Sequence, residues 1–386
     1  MPESLRVGLV GNQFMGRAHS NAYLSVAKFF DTKLTPEMQC VCGLNEEALR
    51  AFADRWGWKS ISTDYEEMVQ REDIDLIDIA SPGDTHAKIA IAAAKAGKHV
   101  YCEKPLANNL DDCKAMIAAV REAGVKHMIN FNYRKCPAVS LAKQMIAAGE
   151  IGEVRHWRAV YLQDWLVDPM FPMNWRLRKE SAGSGALGDI GAHIVDLARF
   201  LMGNITSVVG EMKTFITERP AEGKSAGLTA TAGEGTEKVT VDDCSTFLAK
   251  FENGATGTFE ASRLAAGRKN HNRFEISGSK GSLAWCFEDL NYLDVYKCDD
   301  PSHAQGFRRI IATEGEHPYA GAWWPPGHQL GYDHTFVNAV SDLIEAIATD
   351  QNPSPCFLAG ANCVSVLESV EKSVASGKWE AVEQVS

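Results

Sequence analysis

The sequence lacks the patterns that mark zinc-ribbon, disulfide-stapled, secreted or membrane proteins. Its ten cysteines are scattered without a Cys-x-x-Cys pair, so we expect buried thiols in a reducing compartment, no disulfide framework and no bound metal. No apolar run approaches the roughly 18 residues of a membrane span. The first residues lack the charged segment, long apolar stretch and cleavage site of a secretory signal. These absences predict a cytoplasmic protein without a membrane partner.

Positive charge is also in deficit. The chain has 39 Lys and Arg residues against 50 Asp and Glu residues, a formal net charge of −11. Such a surface repels a phosphate backbone, so we expect no nucleic-acid partner. The 386 residues, of which 45% are hydrophobic, are enough for two domains with ordinary cores.

Short apolar runs alternate with amphipathic stretches over residues 1–150. We predict strands at 5–10, 38–43, 76–80, 99–102 and 126–130, and helices at 15–30, 46–56, 86–96 and 111–123. Strands that alternate with helices of this length indicate βαβ units and a parallel sheet. The prediction for this half is therefore an α/β Rossmann domain with a doubly wound parallel sheet that binds a dinucleotide.

Residues 151–386 have a different texture. We predict strands at 154–165, 206–216, 246–251, 256–261, 272–277, 282–287 and 292–296, and helices at 189–202, 334–348 and 358–376. Hairpin-type turns between the strands indicate an α+β domain with a large, mostly antiparallel sheet for substrate binding and oligomerisation. The helices in 334–376 could pack back on the first domain. Residues 220–238 lack aromatics, and we interpret them as a mobile surface loop.

A glycine turn follows the first strand and opens the first helix. Gly11 would allow the tight turn, and Gly16 would let helix and strand pack closely. The pyrophosphate would then lie against amide N–H groups at the start of the helix. Gln13 stands where the pattern has its middle glycine. We predict that the cofactor contacts Gly11, Gln13, Phe14, Met15 and Gly16.

The end of the second strand bears on the choice of cofactor. Gly43 occupies the position where an acidic residue would hold the ribose 2′-OH of NAD. The repulsion that excludes a 2′-phosphate is therefore missing, but no basic residue follows at once. Arg50 could reach the site, although we interpret it as part of a solvated helix face. The residues leave NAD and NADP both open, with NAD favoured.

Two further motifs lie at the carboxyl ends of predicted parallel strands, where open α/β sheets bind their ligands. The first runs from Ser81 to His86, and the second is Glu103-Lys104-Pro105. The proline restricts Lys104 towards extended backbone geometry and so can direct its side chain. Besides Gly43, the residues that we predict to contact the cofactor here are Ser81, Pro82, His86, Glu103 and Lys104.

A glycine-rich segment opens the predicted helix at 189–202. Asp189 and His193 are four residues apart and would share one face of that helix. An acid–histidine pair beside glycines can supply a general base near neutral pH. The alternative is a helix cap with an ordinary histidine.

Taken together, these motifs resemble the glucose–fructose oxidoreductase, inositol dehydrogenase and rhizopine-catabolism family, usually called Gfo/Idh/MocA. The resemblance lies in the glycine turn at 11–16, Glu103-Lys104-Pro105, Asn132-Tyr133-Arg134, Trp175-Arg176 and the segment from Gly185 to His193. Gln13 and Gly43 depart from the family pattern. Segments 161–165, 182–189, 241–243 and 317–319 resemble the family's sugar C3-dehydrogenases of the levoglucosan type.

The resemblance implies an NAD(P)-dependent dehydrogenase that oxidises a secondary hydroxyl of a sugar, anhydrosugar, glycoside or inositol to a ketone. It also implies a site between the two domains and a homodimer or homotetramer. His193 would be the base and Lys104 would stabilise the alkoxide, or the reverse. Asp189 would orient His193 or bind a neighbouring hydroxyl.

Aromatic and amide side chains suit the walls of a sugar site. Tyr133, Gln163 and Trp165 are expected to line the substrate, while Trp175 and Arg176 are expected at the cofactor and the substrate. The alternatives are a non-catalytic dinucleotide sensor, a redox-neutral lyase or glycosidase that retains NAD, and an imine- or biliverdin-type reductase.

Overall fold

The computed structural model describes residues 3–226 and 229–386, and the first half of the chain alternates strands with helices. The strands are β1 Glu3–Val10, β2 Leu34–Cys42, β3 Ser60–Ser62, β4 Leu76–Ile79, β5 His99–Cys102 and β6 His127–Ile129. The helices are α1 Phe14–Phe29, α2 Glu46–Trp56, α3 Tyr65–Val69, α4 His86–Lys95, α5 Leu110–Ala123 and α6 Pro137–Ala147.

The first six strands form one parallel sheet in the order β3-β2-β1-β4-β5-β6. All four residues of β4 are buried, as expected for a strand that is covered by helices on both faces. The strand order reverses between β1 and β4, which is where doubly wound sheets bind their ligands. The predicted Rossmann sheet is confirmed.

The second half begins with β7 Val154–Leu162 and is dominated by strands. Those that follow are β8 Ile205–Lys213, β9 Glu218–Ala226, β10 Thr229–Lys238, β11 Cys244–Phe251, β12 Thr256–Ser262, β13 His271–Gly278, β14 Gly281–Cys286, β15 Tyr292–Lys297, β16 Arg308–Ile311 and β17 Glu380–Ala381. The helices are α7 Lys179–Ala182, α8 Ala192–Met202, α9 Tyr332–Ala348 and α10 Phe357–Ser376.

Nine of these strands form a mixed sheet in the order β16-β15-β14-β13-β7-β12-β11-β8-β17. Only the β12–β7 pair is parallel, so the predicted, mostly antiparallel sheet is confirmed. In β11, Phe247, Ala249 and Phe251 point into the core, while Leu248 and Lys250 face outward. Because of this alternation, one face of the sheet is apolar and can be covered by helices.

The prediction of a surface loop at 220–238 is wrong for the described residues of this segment, and residues 227 and 228 lie outside them. Strands β9 and β10 form a separate antiparallel hairpin there. The side chain of Arg178 bridges the two strands by bonding to Glu222 and Glu237 at 2.6 and 2.8 Å. The segment lacks aromatics, but backbone pairing and these ion pairs supply the order that an apolar core would otherwise provide.

The last two helices lie against both halves of the molecule. Phe336, Val340 and Leu343 of α9 share a core cluster with Leu5 and Val7 of β1. Helix α10 packs against α5, α8 and β8. Among the described residues, none of the helices has the length and apolar character needed to cross a membrane.

Several short elements were not predicted from the periodicity of the sequence. Strands β3, β16 and β17 and helices α3, α6 and α7 were not predicted, and the predicted strand at 154–165 ends at Leu162. The predicted helix at 189–202 begins instead as a π-helical turn over Leu187–Gly191, which runs directly into α8. The wide turn places Asp189 at the start of the helix that carries His193.

Candidate active site

The predicted motifs lie along one edge of the parallel sheet, at the carboxyl ends of its strands. The amides of Gly11, Ala80 and Glu103 each donate to a carbonyl at the end of the neighbouring strand, with N···O distances of 2.8–2.9 Å. These bonds hold the turns after β1, β4 and β5 side by side. Residues that are distant along the chain therefore share one crevice.

Gly11 and Gly16 have no room for a side chain. The φ of Gly11 is +112°, and a Cβ there would lie 2.6 Å from Ala80 O. A Cβ on Gly16 would lie 2.2 Å from Gly11 O, so the first turn of α1 packs directly on the glycine turn. No side chain caps the N-terminus of α1. The turn thus has the close backbone approach and free amides that a pyrophosphate requires.

The other residues of this turn face different surroundings. Gln13 is exposed just before α1, and its side chain makes no capping hydrogen bond to the start of that helix. Phe14 stacks on Tyr332 of α9 with ring centroids 6.2 Å apart, and Met15 packs partly buried against the core beneath the sheet.

The segment after β2 has no basic residue from Gly43 to Glu47. Gly43 ends the turn after β2, and the next residue, Leu44, is 99% exposed. Arg50 is bound to Glu46 on the surface of α2, consistent with the interpretation of Arg50 as part of a solvated helix face. Asn45 caps α2 by accepting the Ala48 N–H at 2.9 Å.

His86 and Glu103 lie deeper than the sequence suggested. His86 is 1% exposed, and its ring nitrogens contact Ser81 O and Pro105 O, both at 2.9 Å. Glu103 is 4% exposed, and its Oε1 contacts His19 Nε2 at 2.8 Å. Both side chains therefore support the loops around the crevice. Ser81 Oγ bonds to Thr85, and Pro82 begins the 3₁₀ turn that leads to His86.

Lys104 reaches across the crevice to the π-helical turn. Its Nζ donates to Asp189 O at 2.6 Å and lies 3.5 Å from Asp189 Oδ1. The other carboxylate oxygen of Asp189 lies 3.5 Å from Arg263 Nη1. Burial would raise the pKa of Asp189, but Lys104 and Arg263 outweigh this effect and lower it to about 2. Asp189 is therefore a carboxylate that pairs with two cations.

His193 lies four residues further on, as the sequence predicted. It is 8% exposed, and its ring packs against Tyr133 and Tyr161 at centroid distances of 4.7 and 5.7 Å. Burial and the charge of Lys104 hold the pKa of His193 well below its usual range, against the opposing effect of Asp189. Asp189 makes no hydrogen bond to His193 in the described structure, so the suggestion that Asp189 orients the imidazole by such a bond is not supported.

Two residues that sequence reasoning missed hold this helix in place. The carboxylate of Asp242 accepts the N–H groups of Gly185 and Leu187 at 2.6 and 2.9 Å. Asp242 is so close that a Cβ on Gly185 would lie 1.8 Å from its carbonyl oxygen. Arg263 donates to the same carbonyl at 3.0 Å. The Asp242-Asp243 pair was noted as a resemblance, but no local signal connects it to Gly185.

The predicted sugar-binding side chains form one hydrogen-bonded wall. Tyr133 and Tyr161 share a hydrogen bond between their hydroxyls at 2.8 Å. Asn270 Oδ1 accepts from the Tyr161 hydroxyl at 2.7 Å and from Gln163 Nε2 at 2.8 Å, and Trp165 Nε1 donates to Gln163 Oε1 at 3.1 Å. Asn270 belongs to no recognisable motif, so the sequence offered no signal for it.

Trp175 and Arg176 approach from the 3₁₀ turn at 175–177. The Arg176 guanidinium lies over the Trp175 ring, 4.3 Å from its centroid. Arg176 also contributes to the lowered pKa of Asp189, which places its charge near the centre of the site. The structure thus brings Arg176 together with Lys104 and Asp189.

The described residues include one group that could hold a metal ion, although the sequence predicted none. The ligand atoms of His271, Cys286 and Glu288 all lie within 4.8 Å of one another. Arg268 already lies 3.7 Å from the Glu288 carboxylate and supplies a positive charge there. The absence of a metal therefore stays a prediction.

Comparison with known proteins agrees with this geometry. A model of the oxidoreductase family with an NAD-binding Rossmann fold matches residues 5–131, and a model of the GFO/IDH/MocA C-terminal domain matches residues 139–284. Levoglucosan dehydrogenase from Pseudarthrobacter phenanthrenivorans is 41% identical, with 100% of both chains covered. An oxidoreductase domain protein from Kribbella flavida is 51% identical with a TM-score of 0.94, covering 99% of this chain and 100% of its own. A levoglucosan dehydrogenase solved in complex with NADH and levoglucosan is 40% identical with the same TM-score and coverage. This chain therefore belongs to the Gfo/Idh/MocA family of NAD-binding oxidoreductases.

Proposed function

We propose that this protein oxidises a secondary hydroxyl of a sugar, anhydrosugar, glycoside or inositol to a ketone. The favoured reaction is at C3 of levoglucosan or a closely related pyranose, with NAD as the hydride acceptor. The full-length similarity to levoglucosan dehydrogenase supports this substrate class. The lack of a basic residue from Gly43 to Glu47 and the pairing of Arg50 with Glu46 support NAD over NADP, because a 2′-phosphate favours a nearby cation.

One observation carries the chemical part of the proposal. Lys104 Nζ donates to Asp189 O, one helical turn before His193, and, besides burial, the charge of Lys104 lowers the pKa of His193, so the ammonium lies near the imidazole. Within the described structure, neither ring nitrogen of His193 has a hydrogen-bond partner. A substrate hydroxyl between these two groups would therefore meet a proton acceptor and a positive charge.

When NAD is bound at the glycine turn, its nicotinamide supplies the hydride acceptor. His193 takes the hydroxyl proton on a ring nitrogen, and it is neutral at pH 7 because burial and Lys104 keep its pKa low. Lys104 donates a hydrogen bond to the same oxygen and stabilises the negative charge that develops there. The wall formed by Tyr133, Gln163 and Asn270 binds the remaining hydroxyls and orients the ring.

Replacement of Lys104 tests this assignment. Lys104→Ala should lower kcat by about 10²- to 10⁴-fold, because the developing charge loses its main stabilising group. NADH should still bind, as nicotinamide fluorescence would show, because the glycine turn is untouched. Near-normal turnover in Lys104→Ala would remove this residue from the mechanism.

The substrate is tested by initial rates of NADH formation with levoglucosan, glucosides and inositols, with NAD and NADP in parallel. We expect net NADH formation with at least one sugar and much slower reduction of NADP. Tight NADH binding without net NADH formation from any sugar would favour a lyase with retained NAD or a dinucleotide sensor.

The same reasoning extends to assembly and organisation. We infer that residues 1–150 form the cofactor domain, and that residues 151–386 form the substrate and oligomerisation domain of a cytoplasmic homodimer or homotetramer. The nine-stranded sheet supports self-association, because a large antiparallel sheet presents a face that a second copy could cover. Size-exclusion chromatography coupled to light scattering measures the molar mass in solution, and the mass of a monomer would contradict the inferred homodimer or homotetramer.

A further inference from the structure

A fully buried histidine lies beneath the site and has no part in the proposed chemistry. His19 is on α1, three residues after Gly16, and none of it is exposed. Its Nδ1 contacts the Asp78 carboxylate at 2.8 and 2.9 Å, and its Nε2 contacts Glu103 Oε1 at 2.8 Å. Carboxylates only accept hydrogen bonds, so both ring nitrogens donate and His19 is an imidazolium.

The surroundings of His19 keep this charge in place. Burial by itself would lower the pKa of His19, but Asp78 and Glu103 together raise it to about 10. The rings of Tyr101 and Phe336 pack on the imidazole at centroid distances of 5.1 and 5.6 Å. The imidazolium therefore keeps its positive charge at neutral pH, and it is packed between its two carboxylates and these two rings.

Glu103 connects this histidine to Lys104. Glu103 Oε1 accepts from His19 and Asn130, while Oε2 accepts the backbone N–H of Lys104 at 3.1 Å. A Glu103 carboxylate without the imidazolium would be a buried negative charge next to the Lys104 side chain and would attract its ammonium. With the imidazolium in place, Lys104 Nζ extends instead to Asp189.

We propose that His19 is a positioning residue: its imidazolium holds the Glu103 carboxylate in the sheet and so leaves the Lys104 ammonium free for the substrate oxygen. The inference rests on the proposed function, which gives Lys104 its task. If His19 has this role, helix α1, which follows the glycine turn, also positions Lys104.

The single variant His19→Gln removes the charge and keeps a side chain of similar length. We expect kcat with NAD and levoglucosan to fall about 10- to 100-fold, as expected when a reacting group is misplaced. The Kd for NADH, measured by nicotinamide fluorescence, should change far less, because the glycine turn is intact. His127→Gln is the matched control, since His127 is also buried in this sheet but, among the residues that the structure describes, its ring has a single hydrogen bond, from the Phe357 N–H at 3.1 Å.

The double variant His19→Gln/Glu103→Gln decides between positioning and simple structural support. The amide oxygen at position 103 can still accept the Lys104 N–H, but the negative charge of Glu103 beside the Lys104 side chain is gone. We expect the double variant to recover kcat about tenfold over His19→Gln, because the two sites are coupled. If His19 only supports the structure, the double variant should have a lower kcat than His19→Gln. A kcat of the double variant that does not exceed that of His19→Gln overturns the proposal.

Two further comparisons cover poor folding and failure of the underlying mechanism. If His19→Gln does not fold, we compare Glu103→Gln with the double variant, since these two proteins differ only at position 19. The kcat of the double variant should then be less than about threefold below that of Glu103→Gln. A loss of about tenfold or more in that comparison overturns the proposal. Near-normal turnover of Lys104→Ala would overturn the role of Lys104 in the proposed mechanism, on which this inference rests. An inactive Lys104→Ala with an unimpaired His19→Gln would overturn only the positioning role.

Discussion

Replacing Asp189 by asparagine removes one negative charge from the centre of the site and keeps the shape of the side chain. The carboxylate lies 3.5 Å from both Lys104 Nζ and Arg263 Nη1, and it is 24% exposed. Asparagine keeps the backbone carbonyl that accepts from Lys104. The substitution therefore isolates the charge of Asp189 from its other contacts.

The magnitude follows from the pKa of Asp189, which falls from 3.8 to about 2 on folding. At about 1.4 kcal/mol for each pKa unit, the carboxylate contributes about 2 kcal/mol to the free energy of unfolding at neutral pH. A single ion pair at this distance has a gross energy of about 5 kcal/mol at an effective dielectric constant near 20, most of which the cost of burial offsets. Because the folded pKa is the lower one, this stability is present above about pH 4 and roughly half of it is lost by about pH 3.

Urea unfolding of the wild type and Asp189→Asn at several pH values measures this difference directly. We expect Asp189→Asn to be less stable by about 2 kcal/mol at pH 7, with a gap that narrows below about pH 4. Glu46→Gln, which breaks an exposed pair with Arg50, is the control and should change stability little. Equal stabilities at pH 7, or a gap that persists unchanged at pH 3, would refute the reasoning.

Two more predictions concern helix α8 and the segment that leads into it. Burial and Lys104 keep the pKa of His193 low, so kcat/KM should begin to fall only when the pH drops well below 6.5. In Lys104→Met this fall should begin at a higher pH, because the charge that lowers the pKa of His193 is gone. A fall at the same pH in both proteins would exclude His193 as the base. Gly185→Ala should lower both Tm and kcat, because a Cβ there would lie 1.8 Å from Asp242 O and force a shift that costs about 1–3 kcal/mol or more. Gly306→Ala, where no atom lies within 4 Å of the added Cβ, is the steric control, and equal Tm values for the two variants would contradict the prediction.

Local patterns were enough to predict the scaffold and the main chemical groups. The alternation of strands and helices in residues 1–150 predicted the Rossmann sheet, because periodicity and turn residues act over a few neighbours. The positions of Gly11 and Gly16 predicted the tight turn for the same reason. The spacing of Asp189 and His193 correctly placed both groups near the start of one helix.

Other features could not be read from any window of the sequence. The hairpin of β9 and β10 has few apolar residues and depends on Arg178, which lies outside both strands. Asn270 joins the hydrogen-bonded wall of Tyr161 and Gln163 only because β13 begins beside β7. His86 looked free for a cofactor, yet the fold encloses it between two loop carbonyls.

The sequence by itself determined which groups are present: an ammonium before a proline, an imidazole one turn after an acid, and glycines at a strand–helix turn. The tertiary structure decided which charges those groups meet. Asp189 pairs with Lys104 and Arg263, and Glu103 pairs with His19, through contacts between residues far apart in the chain. Burial and charge partners set the protonation state of a side chain, and both arise only when the sheets and helices pack together.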